Sequence, residues 1–476
     1  MIDTSAAYKT AVNADSRQWV PKVEVYFDGD GSAPTTFDGD DIAGLYLLEE
    51  ARTEGDNPLG LVSANELTVT LDNSERSFTP TNSASPYYGK LKPGLLVKAW
   101  LGLVLPDTSV EYIPLGVFRC GDWTSPSESV ESTTICNDRL HRLGAKTIPM
   151  IPATINITTG GLFSVLFDAL GLNGDETEGD VEYVINPGVG QALTIGVVPK
   201  GQVMPALQEM AVGGNAFVSA DREGVVQVKS NIITDDFVAT WTQGNQIYTI
   251  ENPQRYLDAY SGVRIGFKRP RRDPLEPVLT INNIRIPNGG LNLVRMEFTS
   301  APVAYVEQVR LVGAVNSAVA DVEYGAWTIT LQLTNMGAAE TVDIEVIGQD
   351  VDYLSSDYTA EDAAAVAAIG EKELYIESRL IQELDAAQRY GDQVLQYVSD
   401  PLVNFELETR GDPSVEVGDV VQVSSTVDKV PATDIVIQRQ ELSFDGGLQC
   451  RVRGRRAYTP FEWVYVSPGF WARIQV

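Results

Sequence analysis

The pattern of hydrophobic and polar residues predicts the same short β-unit twice, once near each end of the chain. In the first copy apolar residues and threonines alternate over Leu67–Leu71, a polar turn follows, and Gly94 precedes an apolar strand. In the second copy the alternation covers Val403–Thr409, a polar turn follows, and Gly418 precedes another apolar strand. A further predicted strand pair completes each copy. Alternation of this kind indicates half-buried strands, and a repeat of this kind determines architecture. Two like barrels in one chain would let three chains form a ring of six.

Between the two copies the period of the pattern changes. Apolar residues at helical spacing predict one helix around Leu162–Leu170, begun by a threonine cap and ended by Gly171, and a second around Val203–Ala211. A hairpin is predicted around Asp221–Gly224. This part of the chain is therefore expected to form a small α+β domain.

The next part of the chain is predicted to be β again, and a pair of helices follows it. Thr359 with its acidic neighbours marks the start of the first helix, and Leu384–Val398 carries the apolar stripe of the second. The whole chain is then predicted to be mainly β with α+β insertions. Its expected parts are a first β-barrel (1–145), a small α+β domain (146–235), a β-rich domain holding part of the second barrel and an unplaced insertion (236–358), a helical segment (359–400) and the second barrel unit (401–476).

Composition limits the classes of function. The chain has 476 residues and a formal net charge of −30, which argues against a nucleic-acid grip that works by neutralising phosphates. Its three cysteines form no CxxC pair, so neither a disulfide framework nor a zinc site is expected. The sequence shows no secretory leader and no apolar run of about 18 residues. We therefore expect no membrane span and folding in a cytoplasm.

Candidate catalytic chemistry is sparse. His141 is the single histidine and follows Cys136 closely, but this spacing by itself does not bring the two side chains together. The stretch Asp28–Gly39 begins like a calcium loop and then departs from the EF-hand pattern. Gly188–Gly190 lacks the rest of a dinucleotide fingerprint. We expect no catalytic, cofactor-binding or metal-binding residues, although the many acidic residues leave a carboxylate pair open.

Two basic islands stand out against the acidic background. Each is a candidate contact with an acidic partner or a neighbouring subunit, and the alternative for each is a solvated loop. The first is predicted to be a loop, whereas the second lies on a strand where alternate residues share one face. Their candidate interface residues are Lys268, Arg269, Arg271 and Arg272 in the first island, and Arg451 and Arg453 in the second.

Several stretches, taken in their order along the chain, resemble tail hub proteins of tailed bacteriophages and related tail-like particles. The resemblance lies at both ends of the chain and is looser in the α+β part, and it does not place the segment 268–358. The matching stretches are Leu71–Pro80, Pro86–Gly94, Gly116–Trp123, the helix with Ala387 and Val394–Leu395 ahead of Asp400–Pro401, Gly411–Pro413, Val417–Val421 and Leu442–Leu448.

The resemblance implies a structural protein without enzymatic activity. Such hubs form homotrimeric rings with two tube-like barrels per chain, which gives pseudo-sixfold symmetry. The implied partners are a hexameric tail tube or distal tail ring on one side, a threefold tip, spike or fibre on the other, and the tape-measure protein. The implied location is the distal end of the tail in the virion, after assembly in the host cytoplasm.

Two alternatives from other classes remain at this point. One is a tail-associated cell-wall hydrolase, which needs a carboxylate pair in a cleft. The other is a carbohydrate-binding adsorption protein that uses Tyr87, Tyr88 or Trp100 as stacking platforms, although such aromatic residues more often belong to the core.

Overall fold

The computed structural model describes residues 1–52, 58–174, 180–230, 237–251, 259–289, 291–299, 301–400, 404–457, 461–467 and 470–475. The protein is mainly β. The first part of the chain consists of α1 (Ala6–Ala11), β1 (Trp19–Val25), β2 (Thr35–Asp38), a short 3-10 helix (Gly39–Asp41), β3 (Ile42–Arg52), β4 (Leu61–Ser63), β5 (Glu66–Asp72), β6 (Leu96–Val104), β7 (Val110–Thr124) and β8 (Glu131–Asn137).

A mixed α/β region follows, and then two further strands. Their elements are α2 (Arg139–Gly144), β9 (Thr154–Thr158), α3 (Thr159–Ala169), β10 (Tyr183–Ile185), β11 (Ala192–Gly196), α4 (Val203–Gly214), β12 (Ala216–Ala220), β13 (Val226–Ser230), β14 (Ala239–Thr242) and β15 (Ile247–Glu251).

The remaining elements form a long insertion and the end of the chain. The insertion contains β16 (Gly262–Arg272), β17 (Glu276–Ile286), β18 (Leu291–Glu297), β19 (Val303–Val312), β20 (Ser317–Tyr324), β21 (Thr328–Asn335), β22 (Glu340–Glu361), α5 (Ala363–Ile369), β23 (Glu373–Ser378) and α6 (Leu384–Val398). The end contains β24 (Asn404–Thr409), β25 (Val420–Ser425), β26 (Val430–Phe444), β27 (Leu448–Arg456), β28 (Phe461–Ser467) and β29 (Phe470–Gln475).

Six strands near each end of the chain pair in the same order. In the first unit the order is β3-β5-β8-β7-β6-β1. In the second unit it is β15-β24-β27-β26-β25-β14. The chain also visits corresponding strands in the same sequence. One pair differs, since β1 runs antiparallel to β6 whereas β14 runs parallel to β25. The repeated strand unit predicted from the sequence is confirmed.

The two glycines that mark the repeat hold equivalent backbone positions. Gly94 and Gly418 have φ angles of +89° and +97°, a region that glycine enters without a Cβ penalty. The N–H of Gly94 donates to the Cys120 carbonyl at 2.7 Å, and the N–H of Gly418 donates to the Ile437 carbonyl at 2.8 Å. Each glycine thus turns the chain into the strand that follows it, against the middle of its neighbour strand.

The mixed α/β region agrees with the sequence pattern. Helix α3 begins at Thr158, whose hydroxyl accepts from the N–H of Gly161, and Gly171 follows it at a φ angle of +81°. Helix α4 ends where Asn215 takes a left-handed conformation. Strands β12 and β13 form the predicted hairpin. Apolar faces of α3, α4, β12 and β13 share one core.

The insertion departs from the sequence pattern at three points. The predicted loop at Lys268–Arg272 is wrong, because these residues form the end of β16 and pair with β22. The predicted helix start at Thr359 is also wrong, because β22 continues to Glu361 and Asp362 caps α5 instead. Strand β23 was not predicted, and it lies in the segment expected to be helical. In each case strand pairing between β16 and a distant strand, β22 or β23, outweighs the local pattern.

One hydrophobic core runs through both β-units. It contains Leu47 and Leu67 from the first unit together with Phe405, Leu407 and Leu442 from the second, all nearly inaccessible to solvent. Strands β17, β19, β21 and β22 of the insertion bury a separate core. In the described part of the chain, no helix has the length and hydrophobicity that crossing a bilayer requires.

Candidate functional site: the joint between the two β-units

Strand β3 joins the two units because it pairs with a different strand on each side. On one side it pairs with β5 of its own unit, and on the other side Leu45–Glu50 pair antiparallel with Arg439–Phe444 of β26. Leu47 and Leu442 lie opposite each other, and both are buried. The two units therefore share a continuous backbone ladder as well as a core.

An ion-pair network lies at one end of this joint. Arg439 lies opposite Glu50 in the ladder, and its Nη1 is 2.9 Å from the Glu50 carboxylate. Its Nη2 is 2.6 Å from Glu441 on its own strand. All three side chains are partly exposed, so such contacts are worth about 1 kcal/mol or less each. Their main effect is on register, because a shift of one residue would place each charge on the wrong face.

A buried ion pair ties the mixed α/β region to the same joint. Arg222, in the turn between β12 and β13, has an exposed side-chain fraction of 2%, and its Nη2 is 2.9 Å from Glu49, which is 4% exposed. Its Nη1 donates to the carbonyl of Pro114 in β7 at 3.0 Å, and its Nε is 3.6 Å from Glu416 of the second unit. One guanidinium thus contacts both β-units from a third part of the chain.

The ionisation of Glu49 is sensitive to this environment. Burial raises the pKa of Glu49 to about 7, although Arg222 acts in the opposite direction. The side chain lines a cavity of about 470 Å³ with Asp221, Glu416 and Asp419. In the described part of the chain, no group of histidine, cysteine or acidic side chains could hold a metal ion. The features of this site are those of a mechanical joint, with packing, a shared ladder and one buried charge pair.

The first basic island lies away from the joint, on β16. The Lys268 ammonium is 2.5 Å from Glu377 of β23, and Arg271 is 2.9 Å from Asp352 of β22. Arg269 lies over the ring of Phe267, and Arg272 ends the strand with its side chain exposed. Two of the four predicted interface residues therefore already pair with acidic neighbours inside the chain.

The second basic island lies next to the joint. Arg451 and Arg453 are both exposed on one face of β27, as the alternation predicts. Arg451 is 3.4 Å from Glu408, and Arg453 lies opposite Arg439 in the ladder. Both line a shallow, charged depression that also includes Glu251 of β15. The sequence did not indicate that this island lies beside β26, the strand of the second unit that pairs with β3.

The residues considered for catalysis are not brought together. Cys136 is fully buried in β8, and burial raises the pKa of its thiol well above the usual range. His141 lies exposed on α2. Asp28 pairs with Lys90 at 3.0 Å, and Asp30 pairs with Arg119, so both acids of the calcium-like stretch have cationic partners.

The aromatic residues considered as platforms differ in exposure. Tyr87 stacks on Phe27 and Phe78 with ring centroids 4.8 Å and 5.0 Å apart, so it belongs to an aromatic cluster. Trp100 is half-buried beneath the Lys22 ammonium, 4.4 Å from the ring centroid. Tyr88 is 56% exposed. These positions do not form a continuous aromatic face.

The two residues at the centre of the joint, Glu49 and Arg222, carry no signal in the local sequence pattern. Glu49 follows the apolar run of β3 in a Glu-Glu pair that reads as solvent-exposed, and Arg222 lies in a turn that reads as polar surface. Burial of both depends on three parts of the chain meeting, which no local pattern reports.

Comparisons with known proteins support a relationship at the level of fold. No protein-family model and no curated protein matches the sequence. The 43 kDa tail protein of prophage MuSo2 from Shewanella oneidensis is 11% identical, with a TM-score of 0.52 over 92% of this chain and 99% of that one. A tail protein from Neisseria meningitidis MC58 is 10% identical, with a TM-score of 0.51 over 93% and 98%.

This chain has the fold of these two tail proteins. The tail-protein fold includes most of the chain, since each comparison covers more than nine tenths of it.

Proposed function

We propose that this protein is a structural tail hub. Three copies form a ring at the distal end of a phage-type tail in the virion, and the protein has no enzymatic activity of its own. The observation that carries the proposal is the head-to-tail joint between two equivalent six-stranded units. The fold likeness to tail proteins supports it.

The joint is head-to-tail because it pairs unlike strands. β3 of the first unit pairs with β26 of the second, and the counterpart of β26 in the first unit is β7. A two-fold arrangement would instead pair β3 with its own counterpart, β15. Heterologous contacts of this kind repeat, and they produce either a closed ring or an open filament. A ring leaves no unpaired strand edge, which protects the assembly against uncontrolled aggregation.

A ring of three chains contains six units. Such a ring matches a hexameric tail tube or distal tail ring on one face, and the inserted regions give threefold features that suit a tip, spike or fibre on the other. The tape-measure protein and the genome pass through the centre. The net charge of −30 favours passage of DNA without adhesion, because like charges repel.

The basic islands have separate roles in this proposal. Arg451 and Arg453 lie beside β26 of the joint and contribute to contacts between subunits. Lys268, Arg269, Arg271 and Arg272 lie on the insertion, where Arg269 and Arg272 contribute to contacts with an acidic neighbour in the tail. Charge complementarity of this kind sets orientation and specificity more than affinity.

The test is the mass of the purified protein in solution. Light scattering coupled to size exclusion is expected to give about 155 kDa, three times the chain mass of 51.8 kDa, over a range of protein concentrations. Electron-microscopic class averages of that species are expected to show a ring with six similar lobes. A mass of one chain at every concentration, or a particle without a central opening, would refute the ring.

A further inference from the structure

The internal joint specifies how one copy of the chain meets the next. Equivalent strands carry equivalent irregularities, which allow residues in the two units to be matched one by one. On β3 the register with β5 shifts between Ile42 and Gly44, and on β15 the register with β24 shifts between Ile247 and Thr249. Bulges of this kind are specific features of a strand pair. The fourth residue after Ile42 is Tyr46, and the fourth after Ile247 is Glu251.

The same matching applies to β7 and β26. Cys120 and Ile437 accept the hydrogen bonds of the two positive-φ glycines. In β7 the register with β8 shifts directly after Cys120, and in β26 the register with β27 shifts directly after Ile437. The sixth residue after Cys120 is Pro126, and the sixth after Ile437 is Ser443.

In the internal joint, Tyr46 lies opposite Ser443. Transferring that register to β15 and β7 places Glu251 opposite Pro126, which lies two residues beyond the last residue of β7, Thr124. Both side chains are exposed in the single chain. The transferred contact joins β15 of a second unit to β7 of a first unit. Within one chain the first unit already contacts the second unit through β3 and β26. The β7 that pairs with β15 therefore belongs to a second copy of the chain.

Both edges are available in the described part of the chain. β15 pairs there with β24 on one side and with no strand on the other, and its Tyr248 is 62% exposed. Beyond Cys120, β7 pairs there with β8 alone, and the side chains of Asp122 and Thr124 are exposed. Unpaired strand edges are templates for addition of another strand.

The turn that follows β7 is held in place by a side chain from elsewhere in the first unit. Arg76 donates from Nη1 to the carbonyl of Ser129 at 2.7 Å and from Nη2 to the carbonyl of Ser127 at 2.9 Å. The turn after β7 is therefore preorganised, which lowers the entropy cost of adding a neighbour.

We infer that the outer edge of β15 in one copy lies beside the end of β7 in the next copy, in the register that places Glu251 opposite Pro126. The occupant of each edge is thus a second copy of this chain. The inference rests on the proposed ring and adds to it the strands and residues through which the subunits join.

Cysteine pairs test the register. Residues directly opposite on antiparallel strands have Cβ atoms about 4.5–5.5 Å apart, close to the spacing that a disulfide needs. The variant Glu251→Cys with Pro126→Cys is oxidised with copper phenanthroline and run on a denaturing gel without reductant. The native cysteines are all buried. The control variant Tyr46→Cys with Ser443→Cys should form its bond within one chain, and Glu251→Cys with Asp107→Cys should form none.

The expected result is a covalent series of two and three chains that stops at three. Mixing the two single variants should give only covalent pairs. A light-scattering mass of three chains without cross-links between 251 and 126 would overturn this register and leave the ring intact. A series continuing beyond three would support the strand pairing and refute the closed ring of three. A single-chain mass without cross-links would refute both.

Discussion

Replacing Arg222 by methionine should destabilise the protein in a strongly pH-dependent way. The variant keeps most of the side-chain volume and removes the charge that faces Glu49 at 2.9 Å. Leaving a buried charge without its partner costs about 3–5 kcal/mol. Glu49 can avoid that cost by binding a proton, because its pKa is already raised to about 7. The cost therefore depends on whether Glu49 is charged.

The sign of the pH dependence follows from the direction in which the pKa of Glu49 is shifted. The folded state holds the Glu49 proton more tightly than the unfolded state, so this group contributes stability at low pH that is lost as pH rises to about 7. Without Arg222 the pKa of Glu49 rises further, and the loss continues to higher pH. Below about pH 6 the free energy of unfolding of the variant should be lower than that of the original protein by roughly 1–2 kcal/mol, mainly because the hydrogen bond from Arg222 to the Pro114 carbonyl is lost. Above pH 7 the difference in the free energy of unfolding between the original protein and the variant should grow by about 1.4 kcal/mol per pH unit.

The free energy of unfolding of the original protein and of the Arg222→Met variant is measured by urea denaturation from about pH 6 to pH 9. Equal slopes m for the two proteins would show that the transition stays cooperative. Arg379→Met is a matched control, because Arg379 contacts Glu209 at 2.7 Å in a partly exposed pair and should cost about 1 kcal/mol or less at every pH. Adding Glu49→Gln to the Arg222 variant should remove the pH dependence. An equal cost at pH 6 and pH 9 would refute this account of the joint.

Three further predictions concern the two units. Leu442→Ala, at the centre of the joint, should cost about 2–5 kcal/mol in urea denaturation because it leaves a cavity opposite Leu47, and an effect below 1 kcal/mol would contradict the shared core. Gly94→Ala and Gly418→Ala should each cost about 1–3 kcal/mol by the same assay from backbone strain at positive φ. Gly418→Ala should cost more, since its Cβ would lie 2.9 Å from Phe217 whereas that of Gly94 meets nothing within 4 Å. The three cysteines are buried, and burial raises the pKa of each thiol, so they should not react with Ellman's reagent until the protein is unfolded. Rapid labelling of the folded protein would contradict that burial.

The amino-acid sequence by itself determined the repeat and the elements that depend on short-range pattern. Alternating strands, the turn glycines Gly94 and Gly418, and the helices α3, α4 and α6 follow from residues within one or two turns of each other. Their physical causes are local, since they are side-chain periodicity, capping and the φ angles that only glycine enters easily. The repeat also predicts that the two units share one strand order, whereas the order itself comes from the tertiary structure.

The tertiary structure alone decided which strands join the units and which charges become buried. The stretch Lys268–Arg272 reads as a solvated loop, yet pairing with β22 makes it a strand. Glu49 and Arg222 read as surface residues, yet three distant parts of the chain enclose them. Burial and long-range strand pairing depend on neighbours that are distant in sequence. No local pattern encodes those neighbours, and the joint between the units is built from them.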